Sequence, residues 1–233
     1  MQKRTAFKLC LAGATAVALN AAPVAVFAKD EPLKVAFVYV SPANEEGWSS
    51  QHDIARKFVE EKFGDKIKVT WIENIPENAD AQRVIRDLAQ QGNKIIFATS
   101  FGYMNSVMKV AKQFPNVYFE HATGYKTSKN VKNYTARFYE GRYLAGMLAA
   151  ATTKTNILGY VAALPIPEVF QGINAYTLGA RAVNPNIEVR VVWTSSWYDP
   201  GKEADATKAL IGMKADGEIY YWTVTTGGKT SWL

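Results

Sequence analysis

From Leu33 onward, short runs of apolar and β-branched residues alternate with longer stretches whose apolar positions recur every three or four residues. The short runs read as strands and the longer ones as helices, the order of a parallel sheet covered by helices on both faces. Lys34–Val40 opens the pattern as a nearly continuous apolar strand, which suits burial on both faces. A loop over 41–47 leads to a helix from about Trp48 to Phe63, with Ile54, Phe58 and Val59 on its expected apolar stripe. Ile67–Ile72 is the second strand. Asn78 predicts an N-cap for a helix over 79–91, where Val84, Ile85 and Leu88 form the buried stripe and Gly92 closes the helix. Lys94–Thr99 is the third strand, followed by Ser100-Phe101-Gly102 and a helix through about Gln113 that Pro115 terminates. Asn116–Glu120 is the fourth strand.

A polar stretch over 125–133 shows no clear periodicity and precedes a short extended piece over 134–136, where a lobe boundary is expected. The helix from Phe138 to about Thr152 is rich in small residues (Gly141, Ala145, Gly146, Ala149, Ala150), which lets a neighbour approach closely. A strand over 157–163, a helix over 169–183 and a strand over 187–193 restart the alternation, and Pro200 sits in the first turn of a helix to about Ile211. Past Ile211 the alternation is expected to stop, leaving an atypical tail over 212–233 that forms at most a hairpin. The pattern therefore predicts an α/β chain of two doubly wound parallel-sheet lobes, the first over 33–136 and a partial second over 137–211.

Residues 1–28 change the picture of where this fold works. A basic start (Lys3, Arg4, Lys8), an apolar run from Leu9 to Leu19 and a small-residue exit at Val26-Phe27-Ala28 form the pattern of a cleaved secretory signal. The apolar run is roughly half the ~20 residues that a spanning helix needs, so stable membrane insertion is not expected. Cleavage near Ala28 takes away three cations and no acid, lowering the formal charge from +6 to +3, and removes Cys10, the only cysteine. An exported chain without thiols must be held by its packed core. The remaining lysines are scattered singly, which reads as a solvated surface rather than a nucleic-acid patch.

In open parallel sheets, ligands sit beyond the carboxyl ends of the strands. That rule selects 41–48, Ser100-Phe101-Gly102, Glu120-His121-Ala122-Thr123, 164–170 and 194–198. Trp48, Phe101, Phe170 and Trp197 are candidate stackers, with Ser100, Glu120, His121 and Asp199 as polar anchors. Aromatic faces with a few hydrogen-bonding groups suit a flat, uncharged heterocycle better than a phosphate or a metal. Packing offers a rival account of each. Trp48 can staple its helix to the sheet, Ser100 and Gly102 can simply shape a turn, and Phe170, Trp197 and Tyr198 can be core. Glu120 and His121 form a conceivable acid/base pair, yet no nucleophile or metal accompanies them. With two histidines in the whole chain and no cysteine beyond the leader, neither a metal site nor a cofactor is expected. The Arg137–Arg142 stretch reads either as an Arg–Glu helix pair or as a hinge-side wall of a cleft.

Val38-Tyr39-Val40-Ser41-Pro42, Gly47-Trp48, Gln51-His52-Asp53, Thr99–Met104, Phe119–Tyr125, Arg137–Tyr143 and Ser196–Glu203 together resemble the basic membrane protein (BMP) family of ABC-transporter substrate-binding proteins. The resemblance runs from about Leu33 to Ile211 and lies in the combination of motifs. It implies a type I periplasmic-binding-protein fold, a periplasmic location and no enzymatic activity. It also implies capture of a purine nucleobase or nucleoside, adenine or a related base, by lobe closure, and delivery to an inner-membrane ABC permease. Carried over by position, Trp48 would stack on the base, Ser100-Phe101-Gly102 would line it, and Tyr139 and Glu140 would sit near the hinge. The family pattern continues past the helix over 204–211 with further units and a return to the first lobe, whereas this chain stops at Leu233. A truncated, binding-impaired receptor is therefore one alternative, a secreted purine-acting enzyme a second, and a sugar or amino-acid receptor a third.

Overall fold

The structure is a computed structural model that describes residues 31–43 and 47–220. The leader over 1–28, residues 44–46 of the 41–47 loop and the tail beyond Tyr220 lie outside the described residues.

Two parallel sheets organise the chain, which from Pro32 onward forms one unit. The first sheet has the order β2-β1-β3-β4-β5, built from β1 (Leu33–Val38), β2 (Ile67–Ile72), β3 (Ile95–Ala98), β4 (Tyr118–Ala122) and β5 (Val131–Tyr134). Its helices are α1 (Trp48–Phe63), α2 (Ala79–Gln90) and α3 (Met104–Ala111). The second sheet has the order β7-β6-β8, from β6 (Ile157–Ala162), β7 (Glu188–Trp193) and β8 (Gly217–Tyr220), with α4 (Phe138–Thr152), α5 (Pro167–Val183) and α6 (Pro200–Gly212).

Alternating side chains of β1 feed two different cores, as the two-residue period of a strand requires. Ala36 and Val38 pack with Val84, Ile85 and Leu88 of α2 and Val107 and Val110 of α3. Val35, Phe37 and Tyr39 pack on the opposite face with Val69, Ile95 and Phe97. Asn78 caps α2 as expected, its side chain accepting from the Asp80 amide at 2.8 Å. Asp199 does the same for α6, accepting from the Lys202 amide at 3.0 Å, and that bond holds its carboxyl below the usual range.

Three features differ from the pattern reading. The expected apolar stripe of α1 faces outward, with Ile54 55% and Phe58 61% exposed. Its buried face is instead polar: Ser49, Asp53 and Arg56. Arg56 donates to Asp53 at 2.6 Å and to Glu60, its guanidinium stacks 3.8 Å from the Trp71 ring centre, and the Tyr39 hydroxyl donates to Asp53 at 3.4 Å. Satisfied in this way, the polar face can be buried without the cost of unpaired charges. Second, the polar stretch before Tyr134 contains β5, paired in parallel with β4. Third, β8 pairs in parallel with β6 and so continues the alternation that the pattern ended at Ile211. Asp216 secures its approach by accepting from the Thr153 and Thr155 hydroxyls and from the amides of Lys154 and Thr155.

The small-residue helix α4 meets α5 backbone to backbone. A Cβ placed on Gly146 would lie 2.0 Å from the Tyr176 carbonyl oxygen, and one on Gly179 would lie 1.9 Å from that of Tyr143. Beneath this crossing, Leu158, Tyr160 and Ala162 of β6 pack with Ala149, Val169, Tyr176 and Ala180. Val161 on the other face meets Ala206 and Leu210 of α6.

Candidate functional site

The carboxyl ends of β1 and β3 and the start of α1 place Trp48 at the rim of the first sheet. Its indole N–H donates to the Thr99 carbonyl, fixing the ring across the strand ends. The ring lies 4.7 Å from that of His52 and 5.9 Å from that of Phe138, the first residue of α4. These rings border a cavity of about 500 Å³ lined by Trp48, Gln51, His52, Ala55, Tyr134, Thr135, Ala136 and Phe138. Such a volume is in the range of small-molecule sites. Burial lowers the pKa of His52 despite its bond to the Trp48 carbonyl, and burial raises that of Tyr134. Both therefore stand neutral near pH 7, giving the cavity uncharged aromatic walls.

One residue further along the third strand, the rim becomes polar. Ser100 donates to Glu77 at 2.5 Å and the Gly102 amide donates to the same carboxylate oxygen at 2.8 Å. The other oxygen of Glu77 accepts from the Trp197 indole at 2.8 Å. Trp197 comes from the loop after β7 and also packs against the core of the second sheet, so this bond joins the two lobes. Phe101 is half-buried, with Tyr125 at 6.4 Å.

Glu120 and His121 are separated rather than joined. The fourth strand runs to Ala122, two residues beyond its expected end, so both lie within it and point to opposite faces. His121 is 1% exposed, with Nε2 at 2.7 Å from the Ser100 carbonyl. Burial lowers its pKa, and the Ser100 carbonyl only partly opposes that shift. It therefore underpins the Ser100 turn from below. Glu120 is half-buried opposite Phe97 in register, on the face that carries Tyr134. Glu140 is exposed and pairs with Arg137 at 3.1 Å, which is the helix-pair account of that stretch. Tyr139 is half-buried beside it. Phe170 is 47% exposed and meets Trp193 edge-on at 5.5 Å, away from the Trp48 cavity lining. Of the sequence candidates, the structure thus gathers Trp48, Ser100, Gly102 and Trp197 around one edge, with His121 beneath. Glu77 was missed, although it follows the second strand and the strand-end rule applied there would have found it. Among the described residues, no group of ligating side chains could hold a metal ion, and no helix is long and apolar enough to cross a membrane.

A family model for Bmp, described as ABC transporter substrate-binding protein PnrA-like, matches residues 33–217. The chain belongs to the Bmp family. Bmp proteins are extracytoplasmic solute-binding proteins rather than enzymes. A purine-binding protein of Brucella abortus (strain 2308) is 56% identical over 187 residues, covering 80% of this chain and 53% of that protein. A Haloferax volcanii protein with the provisional name of an ABC transporter glucose-binding protein is 43% identical over 186 residues, covering 80% of this chain and 47% of that protein. The chain thus spans about half the length of the relatives it matches. The fold is that of a solved ABC transporter solute-binding protein from Aeropyrum pernix K1, with a TM-score of 0.74 at 18% identity over 83% of this chain and 56% of the other.

Proposed function

We propose that this Bmp chain captures a purine nucleobase or nucleoside, adenine among them, by closure of its two lobes. It acts in the periplasm after loss of the 1–28 leader and delivers its ligand to an inner-membrane ABC permease. The reading rests on Trp48: its indole N–H bond to Thr99 fixes the ring at the rim, where Trp48 lines a neutral aromatic cavity reaching α4. A flat heterocycle gains most from such walls by stacking. The name of the Brucella relative supports a purine as that heterocycle. The boundaries of 33–136 and 137–211 carry over as the two closing lobes, each centred on one of the sheets. Phe101, Tyr139, Glu140 and Phe170 are retained as contacts that closure would bring to the ligand, while Trp197 serves as the tie to Glu77.

Isothermal titration of the purified chain with adenine, adenosine, guanosine, inosine and glucose tests this. Saturable heat with at least one purine is expected, and Trp48→Ala should weaken it about tenfold or more, the loss of one stacking platform. Heat with glucose alone would shift the assignment to a sugar, as the name of the Haloferax relative has it. No heat with any ligand from a folded chain would support the binding-impaired alternative, and appearance of a new base or deaminated product would support the enzyme.

A further inference from the structure

Glu77 is held in an arrangement that its position between Pro76 and Asn78 does not explain. One carboxylate oxygen receives two donors from its own lobe, the Ser100 hydroxyl and the Gly102 amide, which together lock the plane of the carboxylate. The other oxygen faces the second lobe and accepts an indole N–H from Trp197 at 2.8 Å. Gly102 makes this possible: a Cβ there would lie 2.3 Å from the Glu77 carboxyl carbon. An ionised carboxylate only accepts, and each oxygen has two lone-pair directions, so the outward oxygen keeps capacity for a second N–H. The inner oxygen is bound at Ser100, the residue after Thr99, whose carbonyl fixes Trp48, so the carboxylate is anchored beside the Trp48 rim.

From this geometry we infer that Glu77 is the specificity-determining residue of the cleft, its outward oxygen accepting a ring or amino N–H of the ligand from the direction in which Trp197 donates. The inference rests on the purine reading of the same site. A preorganised, charged acceptor strengthens the bond to a correct donor edge and leaves a lone pair unmatched against an edge without one. Glu77 thereby selects bases that present N–H and rejects analogues methylated at that nitrogen. Trp197 supplies a competing donor and is not itself the reading group.

The test titrates the purified chain with adenine, 9-methyladenine and N6,N6-dimethyladenine, for wild type, Glu77→Gln, Gly102→Ala and Trp197→Phe. Glu77→Gln keeps the shape but replaces one oxygen with a donor, and should weaken adenine binding about tenfold or more. Gly102→Ala displaces the carboxylate without altering its chemistry, and should give the same loss. For one of the two methylated bases, wild type and Glu77→Gln should bind alike, which identifies the nitrogen that is read. Trp197→Phe keeps the aromatic packing and removes the N–H, and should bind adenine as tightly as wild type or more so. The inference is overturned if Glu77→Gln binds adenine like wild type, or if its deficit persists with both methylated bases. It is equally overturned if Trp197→Phe loses as much as Glu77→Gln, because the bond would then be only a tie between lobes. If wild type binds none of the three bases, the purine reading itself fails and this assignment falls with it.

Discussion

The crossing of α4 and α5 offers the sharpest stability test, because there two helices touch through backbone and have no side chain to rearrange. Gly146→Ala adds a methyl group 2.0 Å from the Tyr176 carbonyl oxygen and 2.9 Å from its carbon, whereas ordinary contact begins near 3.4 Å. The helices must therefore part by roughly 1.4 Å, more than enough to forfeit half of the dispersion energy of the contacts along the crossing. Overpacking against rigid backbone belongs at the upper end of the usual range, about 3 kcal/mol. Alanine regains about 1 kcal/mol of helix propensity over glycine, which leaves a net loss of about 2 kcal/mol. For a chain of this size that is a fall of about 4–8 °C in Tm, or a lower urea midpoint at unchanged m. Gly212→Ala is the control, since nothing lies within 4 Å of its added Cβ; it should be neutral or slightly stabilising. Gly179→Ala, which meets the Tyr143 carbonyl at the same crossing, should cost a similar amount alone but much less on top of Gly146→Ala, because the helices have already parted. A Gly146→Ala midpoint at or above wild type, or full additivity with Gly179→Ala, would refute a backbone-to-backbone crossing.

Two further outcomes concern buried charge. Burial lowers the folded-state pKa of His52 and His121 below the ordinary histidine value, so the unfolded chain takes up protons first as pH falls. Stability should hold above about pH 6.5 and decline below it, with a slope of up to about 1.4 kcal/mol per pH unit for each histidine. Urea midpoints at pH 7.5 and 5.5 check this, and His121→Gln should flatten the slope; a midpoint that rises on acidification contradicts the assignment. Asp53→Ala leaves the Arg56 guanidinium, whose side chain is 4% exposed, without its main partner. About 3 kcal/mol of destabilisation is expected by thermal unfolding. A change under 1 kcal/mol would mean that Glu60 and Trp71 suffice to hold that cation.

What the sequence made legible depended on whether a feature was written in one residue or shared between two. Asn78 and the Val84–Leu88 stripe of α2 act within their own element, and each stands where local rules put it, whereas Asp199, selected as a ligand anchor, caps α6. The start of α1 at Trp48 is equally local, but its buried face is not. Periodicity counts apolar positions and so chose Ile54 and Phe58, while the sheet provided partners for Asp53 and Arg56 that lie elsewhere in the chain, Tyr39 and Trp71. The short strand at Gly217–Tyr220 has little pattern of its own and exists through its register with Leu158–Val161. His121 reads as a rim residue until the fourth strand is extended by two positions and carries it into the core.

The edge around Glu77 follows the same logic at the site. Ser100 and Gly102 were selected together as the turn after the third strand, and Trp197 separately as a stacker. Their common partner is a carboxylate 120 residues before Trp197 in the chain, in a loop whose Pro and Asn read as turn formers. The donors are individually ordinary and become informative only when their acceptor is named: two from one lobe fix its orientation, one from the other lobe shows where it points. A sequence reading that pairs every strand-end donor with an acceptor from a neighbouring strand end would have searched the loop after β2, because β2 and β3 both flank β1. The glycine at 102 is then the residue-level trace of that carboxylate, since any side chain there would occupy the space that Glu77 fills.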